Sequence, residues 1–156
     1  MPLNAKVLHV APEPAFYRIL RGGPFTYHTS DFYLDDVDFP REDIQRLSFK
    51  SETYDLILCN HVLEHVPDDQ VALRELFRVL QPGGVLLLTV PGDFERPETK
   101  YFGHLNYNGH YRDYGRDFLS RFRQVFPGGD VADMASAHPQ RNIGVRKGEW
   151  LFIGKK

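Results

Sequence analysis

Cys59 is the only cysteine in this chain of 156 residues. One thiol excludes an internal disulfide framework and a four-cysteine zinc site. Long apolar runs are missing too. None approaches the roughly 18 residues that cross a bilayer. Residues 1–14 carry no apolar stretch ending in a small-residue cleavage site, so no signal peptide is expected. The expectation is a cytoplasmic protein with no membrane partner. Charge of one sign is not in excess either. Nineteen basic residues stand against 21 acidic ones, a formal net charge of −2. No surplus of positive charge remains to neutralise phosphates, which argues against nucleic acid as a partner. What is present is ordinary for a globular chain: 42% hydrophobic and 26% charged residues. Length and composition fit a single domain over 1–156 with one core.

No repeat or low-complexity tract interrupts the chain, and β-like runs alternate with helical patterns. Lys6–Val10 is a short apolar run. Ala15–Arg21 follows as a helix, with Pro14 ahead of it and Gly22-Gly23 closing it. Phe25–Ser30 alternates as a strand does, and Ile44–Phe49 is a weaker strand candidate. Tyr54–Asn60 and Val85–Val90 are near-continuous apolar strands, which suggests burial on both faces. Between them, Pro67-Asp68-Asp69 opens a helix in which Leu73, Leu76, Phe77 and Leu80 share one face, and Pro82-Gly83-Gly84 ends it. Arg74, Glu75 and Arg78 read as its solvated side. Asp117–Val125 is a last helix, and Val131–Ala137 with Glu149–Ile153 is a closing antiparallel pair. The pattern predicts an α/β three-layer sandwich with a Rossmann-like, mostly parallel sheet and an antiparallel C-terminal strand pair. Ligands of such sheets sit beyond the carboxyl ends of the strands.

Three acids fall at those ends: Glu13, Asp31 and Asp43. Asp31 lies 20 residues past Ala11, the spacing at which an acid after the second strand accepts ribose hydroxyls. Asp43-Ile44 suits an adenine, with a polar group for the amine and an apolar side chain for the ring. The first strand–helix turn has no glycine fingerprint, and Pro12 and Pro14 remove two N–H donors that a pyrophosphate would need. A ligand with ribose and adenine, no phosphate and a positive charge fits this set best. S-adenosylmethionine has that description, and nearby acids favour its cationic groups.

The segments Tyr54-Asp55-Leu56-Ile57-Leu58-Cys59-Asn60-His61-Val62-Leu63-Glu64-His65-Val66-Pro67-Asp68 and Leu73–Gly84 resemble the fourth strand and following helix of class I S-adenosylmethionine-dependent methyltransferases. The group they are most similar to is the ubiquinone/menaquinone-biosynthesis-like type 11 domain. The resemblance implies methyl transfer to a small-molecule acceptor. It places Ala11 and Glu13 at the methionine moiety, Asp31 at the ribose, Asp43 and Ile44 at the adenine, and Asn60 and His61 beside the transferred methyl. Two features depart from the family. His9-Val10-Ala11-Pro12-Glu13-Pro14 stands where it has an acid and three glycines. The helices that precede its first strand have no counterpart here, so the expected site is either open or closed by a second copy of the chain in a homodimer or by the loop 91–116.

That loop is rich in aromatic and polar groups. His110 or Tyr114 is the candidate general base, and Arg112 a candidate anchor for an anionic acceptor. Two other readings stand beside methyl transfer. One is a methyltransferase-fold binding or regulatory module without turnover. The other is a zinc hydrolase, since His61-x-x-Glu64-His65 matches an inverted zinc-protease motif. That motif needs one helix through 61–65, which Pro67 leaves short. The expected site therefore contains no metal.

Overall fold

The computed structural model describes residues 4–133 and 150–156. The elements are β1 (Lys6–Val10), α1 (Pro14–Leu20), β2 (Thr26–Asp31), β3 (Phe39–Pro40), β4 (Tyr54–Asn60), a single 3-10 turn (Leu63–His65), α2 (Asp69–Val79), β5 (Leu80–Thr89), β6 (Lys100–Tyr101), β7 (Arg112–Asp113), α3 (Phe118–Val125), β8 (Asp130–Asp133) and β9 (Trp150–Lys155). Seven strands make one sheet in the order β3-β2-β1-β4-β5-β9-β8, and β6 pairs with β7 in a small second sheet. The first five strands run parallel, with Leu8 opposite Ile57 and Ile57 opposite Leu86. The closing pair is antiparallel: Leu88 faces Phe152, and Phe152 faces Val131. The Rossmann-like sheet with an antiparallel end is thus present. Positions 134–137 and 149 of the expected last pair lie outside the described residues.

From β1 the chain builds outward through β2 and β3. It then returns to the other side of β1 with β4 and β5. Strand order reverses between β1 and β4, which opens a crevice at their carboxyl ends.

One face of the sheet is sealed. Leu8, Ile57, Cys59, Leu86, Leu88 and Phe152 meet Leu73 and Leu76 of α2 and Phe118 and Phe122 of α3 in a single buried cluster. Cys59 is fully buried there, and burial pushes its thiol pKa well up, so it is a packed thiol and no nucleophile. His28 lies 3.2 Å from the Tyr54 hydroxyl and edge-on to Phe39. The opposite face differs from the expected burial on both sides. Along β5, Leu86 and Leu88 are buried while Val85, Leu87 and Thr89 are half-exposed. The helix on that face, α1, has no fully buried residue. It touches the sheet where Phe16 meets His9 and Tyr17 meets Tyr27.

Asp68 caps α2, its Oδ1 accepting from the Gln70 and Val71 N–H groups at 3.0 Å. The helix stops at Val79, before Pro82-Gly83-Gly84. Leu80 takes extended backbone and pairs with Tyr54 in the sheet, and Pro82 disfavours helix at Gln81. Phe77 is half-buried against the core, as its helical position implies.

Ile44–Phe49 forms no strand; β3 is Phe39–Pro40. Ile44 and Leu47 are nevertheless buried, because side chains of α2 take over the backbone groups of this irregular segment. Glu75 accepts from the Leu47 N–H at 3.0 Å, and Arg78 donates to Leu47 O at 3.0 Å and Phe49 O at 2.8 Å. Glu75 and Arg78, themselves paired at 2.8 Å, are therefore a brace and not a solvated face. The Arg78 hydrogen bond holds the Glu75 carboxyl below its ordinary 4.5. The contribution is whole above 4.5 and fades as pH falls through the lower folded value. Glu75→Gln should lose about 1 kcal/mol at pH 7. Urea melts should show the gap to wild type closing toward pH 3. A gap independent of pH would contradict the brace.

Candidate functional site

A cavity of about 430 Å3 occupies the crevice. Val10 and Ala11 enter it from the end of β1, Asp31 from β2, Asp43 and Ile44 from the segment after β3, and His61 from the end of β4. Five of the seven expected cofactor residues thus share one pocket: Ala11, Asp31, Asp43, Ile44 and His61. Asp31 Oδ1 accepts from the N–H groups of Tyr33 (2.6 Å) and Leu34 (2.8 Å), which folds the loop after β2. Its Oδ2 has no protein donor among the described residues. Asp43 likewise accepts from the Gln45 N–H at 2.9 Å.

Glu13 and Asn60 do not line the cavity. His9, fully buried, holds Glu13 instead: its Nε2 lies 2.6 Å from Glu13 Oε2 and its Nδ1 2.7 Å from the Tyr27 hydroxyl. A carboxylate only accepts, so Nε2 donates to it. In the neutral ring Nδ1 then accepts from Tyr27, whose phenol burial pushes up to about 12. Burial alone would raise the Glu13 pKa. Hydrogen bonds from His9, the backbone and Asn60 outweigh that and leave it lowered. Asn60 Oδ1 also accepts from Thr89 Oγ1 at 3.1 Å. These groups tie the first turn to the strand ends behind the pocket.

Two pocket residues carry backbone strain. Ala11 has φ 50° and His61 φ 52°, a left-handed region costly for a residue with a Cβ. Both are locked by backbone bonds, Ala11 N–H to Ser30 O at 2.8 Å and His61 N–H to Thr89 O at 3.0 Å. The first turn therefore adopts a glycine-like bend without glycine. Ala11→Gly should raise stability by about 0.5–1 kcal/mol, strain relief exceeding the extra entropy glycine loses on folding. Thermal unfolding checks this, and a destabilised variant would contradict it.

The loop 91–116 supplies the remaining wall through Leu105 and Tyr111. It is not structureless: β6 and β7 pair within it. Two expected acceptor groups prove structural. Tyr114 is fully buried and donates its hydroxyl to Asp69 Oδ2 at 3.1 Å. Burial and the Asp69 charge raise its pKa well above the usual value. It does not line the cavity, and its hydroxyl is spent on Asp69. Arg112 is also buried, and its guanidinium donates to Leu63 O (3.1 Å), Val66 O (2.8 Å) and Pro67 O (2.5 Å). All three carbonyls belong to the chain, so Arg112 fastens the loop and cannot grip an acceptor. His110 does not line the cavity either. It stands edge-on behind His65, with ring centroids 4.8 Å apart, and His65 is in the wall. The helix expected of the His61-x-x-Glu64-His65 motif is absent, since the segment is a single 3-10 turn that begins at Leu63.

Sequence reasoning missed the apolar lining: Phe32, Tyr33, Val62, Val66 and Pro67. Each adjoins or lies close to a residue that it did select, and proximity along the chain was the available signal.

Residues 6–88, just over half of the chain, match the type 11 "Methyltransferase domain" family. The chain belongs to that family. A demethylmenaquinone methyltransferase of Streptomyces griseus is 41% identical over 61 residues, covering 39% of this chain and 25% of that one. Such alignments span about a quarter of the length of these curated relatives. Among solved structures, a 1,6-didemethyltoxoflavin-N1-methyltransferase of Burkholderia thailandensis superimposes with a TM-score of 0.70 at 18% identity, over 98% of this chain and 71% of that one. That structure holds 1,6-didemethyltoxoflavin and S-adenosylhomocysteine. The [4+2]-cyclase SpnF shares the fold with a TM-score of 0.66 at 18% identity, over 98% of this chain and 75% of that one. The fold by itself therefore does not dictate the reaction.

Proposed function

We propose that this protein binds S-adenosylmethionine in the crevice between β1 and β4 and transfers its methyl group to a small-molecule acceptor. The observation that carries the reading is the convergence of Asp31, Asp43, Ile44, Ala11 and His61 on one cavity. The residues fit the cofactor. The pocket is acidic, and the prolines of the first turn withhold the donors a phosphate would need. Asp31 takes the ribose hydroxyls through Oδ2, Asp43 and Ile44 take the adenine, and Ala11 and His61 border the methionine end. Glu13 and Asn60 act from behind, holding the turn in place, and the Glu13 carboxylate adds negative charge near the cationic groups.

When bound, S-adenosylmethionine supplies an electrophilic methyl on a positively charged sulfur. The chain's task is then alignment and exclusion of water, and such positioning is worth up to about 7–11 kcal/mol. Val62, Val66, Leu105 and Tyr111 provide apolar walls for it. On the acceptor side His65 is in the cavity wall, with the His110 ring edge-on behind it. Burial lowers the His110 pKa below its ordinary 6.5, which keeps that ring neutral at pH 7.

Calorimetry with S-adenosylmethionine and S-adenosylhomocysteine tests the reading. Saturable binding of both at one site is expected. Heat no greater than dilution at millimolar ligand would refute it, and binding without transfer to any acceptor tried would favour the module without turnover.

A further inference from the structure

The proposed reaction leaves one cluster beside the pocket unexplained. Glu64 is 1% exposed, yet its Oε2 has no hydrogen-bond partner. Its Oε1 stands 3.6 Å from His61 Nδ1 and 3.8 Å from His65 Nε2, both spans longer than a hydrogen bond. A buried carboxylate without full pairing is costly, so its persistence calls for an occupant.

His65 is oriented as a ligand. Its Nδ1 lies 2.9 Å from Gly109 O. A carbonyl only accepts, so Nδ1 donates to it, and in the neutral ring Nε2 then presents a lone pair on the Glu64 side. An imidazole fixed through its other nitrogen in this way is the usual arrangement at metal centres. His110 completes the group: one ligand atom each from Glu64, His65 and His110 lies within 4.8 Å of the others. Small side-chain rotations bring such atoms to about 2 Å from a common ion.

The three positions are also held in place. The Tyr111 N–H donates to Glu64 O at 2.8 Å, and the His110 N–H to Asn106 Oδ1 at 3.0 Å. Arg112 bonds the carbonyl of Leu63 next door. The loop 91–116 and the 3-10 turn are thereby locked together around the cluster.

We propose that Glu64, His65 and His110 bind one divalent transition-metal cation, Zn2+ in type, at the edge of the pocket. Two imidazoles and one carboxylate suit such an ion better than Mg2+ or Ca2+. Three protein ligands leave a position open for an oxygen or nitrogen of a small molecule. The site differs from the zinc-protease motif because its second histidine is His110, brought in by the loop, and not His61. A role for the ion in gripping the methyl acceptor rests on the methyl-transfer reading; the cation site itself does not.

The test uses the full chain without a histidine tag, stripped with chelator, in the absence of S-adenosylmethionine. Titration with ZnCl2 should give one equivalent of saturable binding. CoCl2 should give visible d–d absorption of a four- or five-coordinate ion, lost on adding Zn2+. His110→Ala, at a half-exposed loop position, and Glu64→Gln, with folding checked by circular dichroism, should each weaken binding at least about tenfold. His104→Ala on the same loop should leave it unchanged. No saturable binding, or His110→Ala within about twofold of wild type, would overturn the site. Failure of S-adenosylmethionine to bind would leave this result untouched.

Discussion

Arg112→Ala should destabilise the protein by about 3–5 kcal/mol, because it strands three backbone carbonyls that only partly regain partners. The guanidinium is 3% exposed, satisfies the carbonyls of Leu63, Val66 and Pro67, and lies 3.4 Å from Asp69 Oδ2. Its loss strands those carbonyls, each worth about 1–3 kcal/mol when buried without a partner. Asp69 keeps Arg121 at 2.8 Å and the Tyr114 hydroxyl, so the damage comes chiefly from the backbone acceptors. Arg112→Lys should recover little, because one ammonium cannot reproduce a planar fork aimed at several carbonyls. Denaturant unfolding measures both variants. A loss under about 1 kcal/mol would show that Arg112 does not hold the loop. The same change should weaken ligand binding, since the wall residues Leu105 and Tyr111 belong to the segment that Arg112 anchors.

Asp31→Asn should weaken S-adenosylmethionine binding by about 1–3 kcal/mol, or about 5- to 150-fold, with little change in stability. Asparagine keeps an oxygen for the Tyr33 and Leu34 N–H groups that Oδ1 serves. It replaces Oδ2 with a donor and removes the charge, so the loop stays while ribose recognition fails. Calorimetry on both proteins decides the matter. An unchanged dissociation constant would remove Asp31 from the ribose role, and lost stability with unchanged affinity would assign it to the loop alone.

The strands and α2 were legible because their signals are local. Apolar runs mark β1, β4 and β5, and Asp68 with the leucines of α2 spells out a cap and one buried face. Asp31, Asp43 and Ile44 were legible as pocket residues because a parallel sheet delivers its strand ends to one rim. Ile44–Phe49 misled for the opposite reason. Its apolar residues are buried by a brace from Glu75 and Arg78, some 30 residues away in sequence, and no local pattern encodes that. Tyr114 and Arg112 misled because a polar group on a loop rich in aromatics looks functional until its partners are seen. Their partners, Asp69 and the carbonyls of 63–67, lie more than 40 positions away.

By itself the sequence determined the alternation of strand and helix, the parallel sheet and the acids at its rim, since periodicity and turn chemistry act between neighbours. Only the tertiary structure decided which polar groups face the cavity and which are consumed inside. It also decided that His110 would join Glu64 and His65. Those outcomes depend on contacts closed across long loops, where burial and pairing select a partner that spacing along the chain does not name.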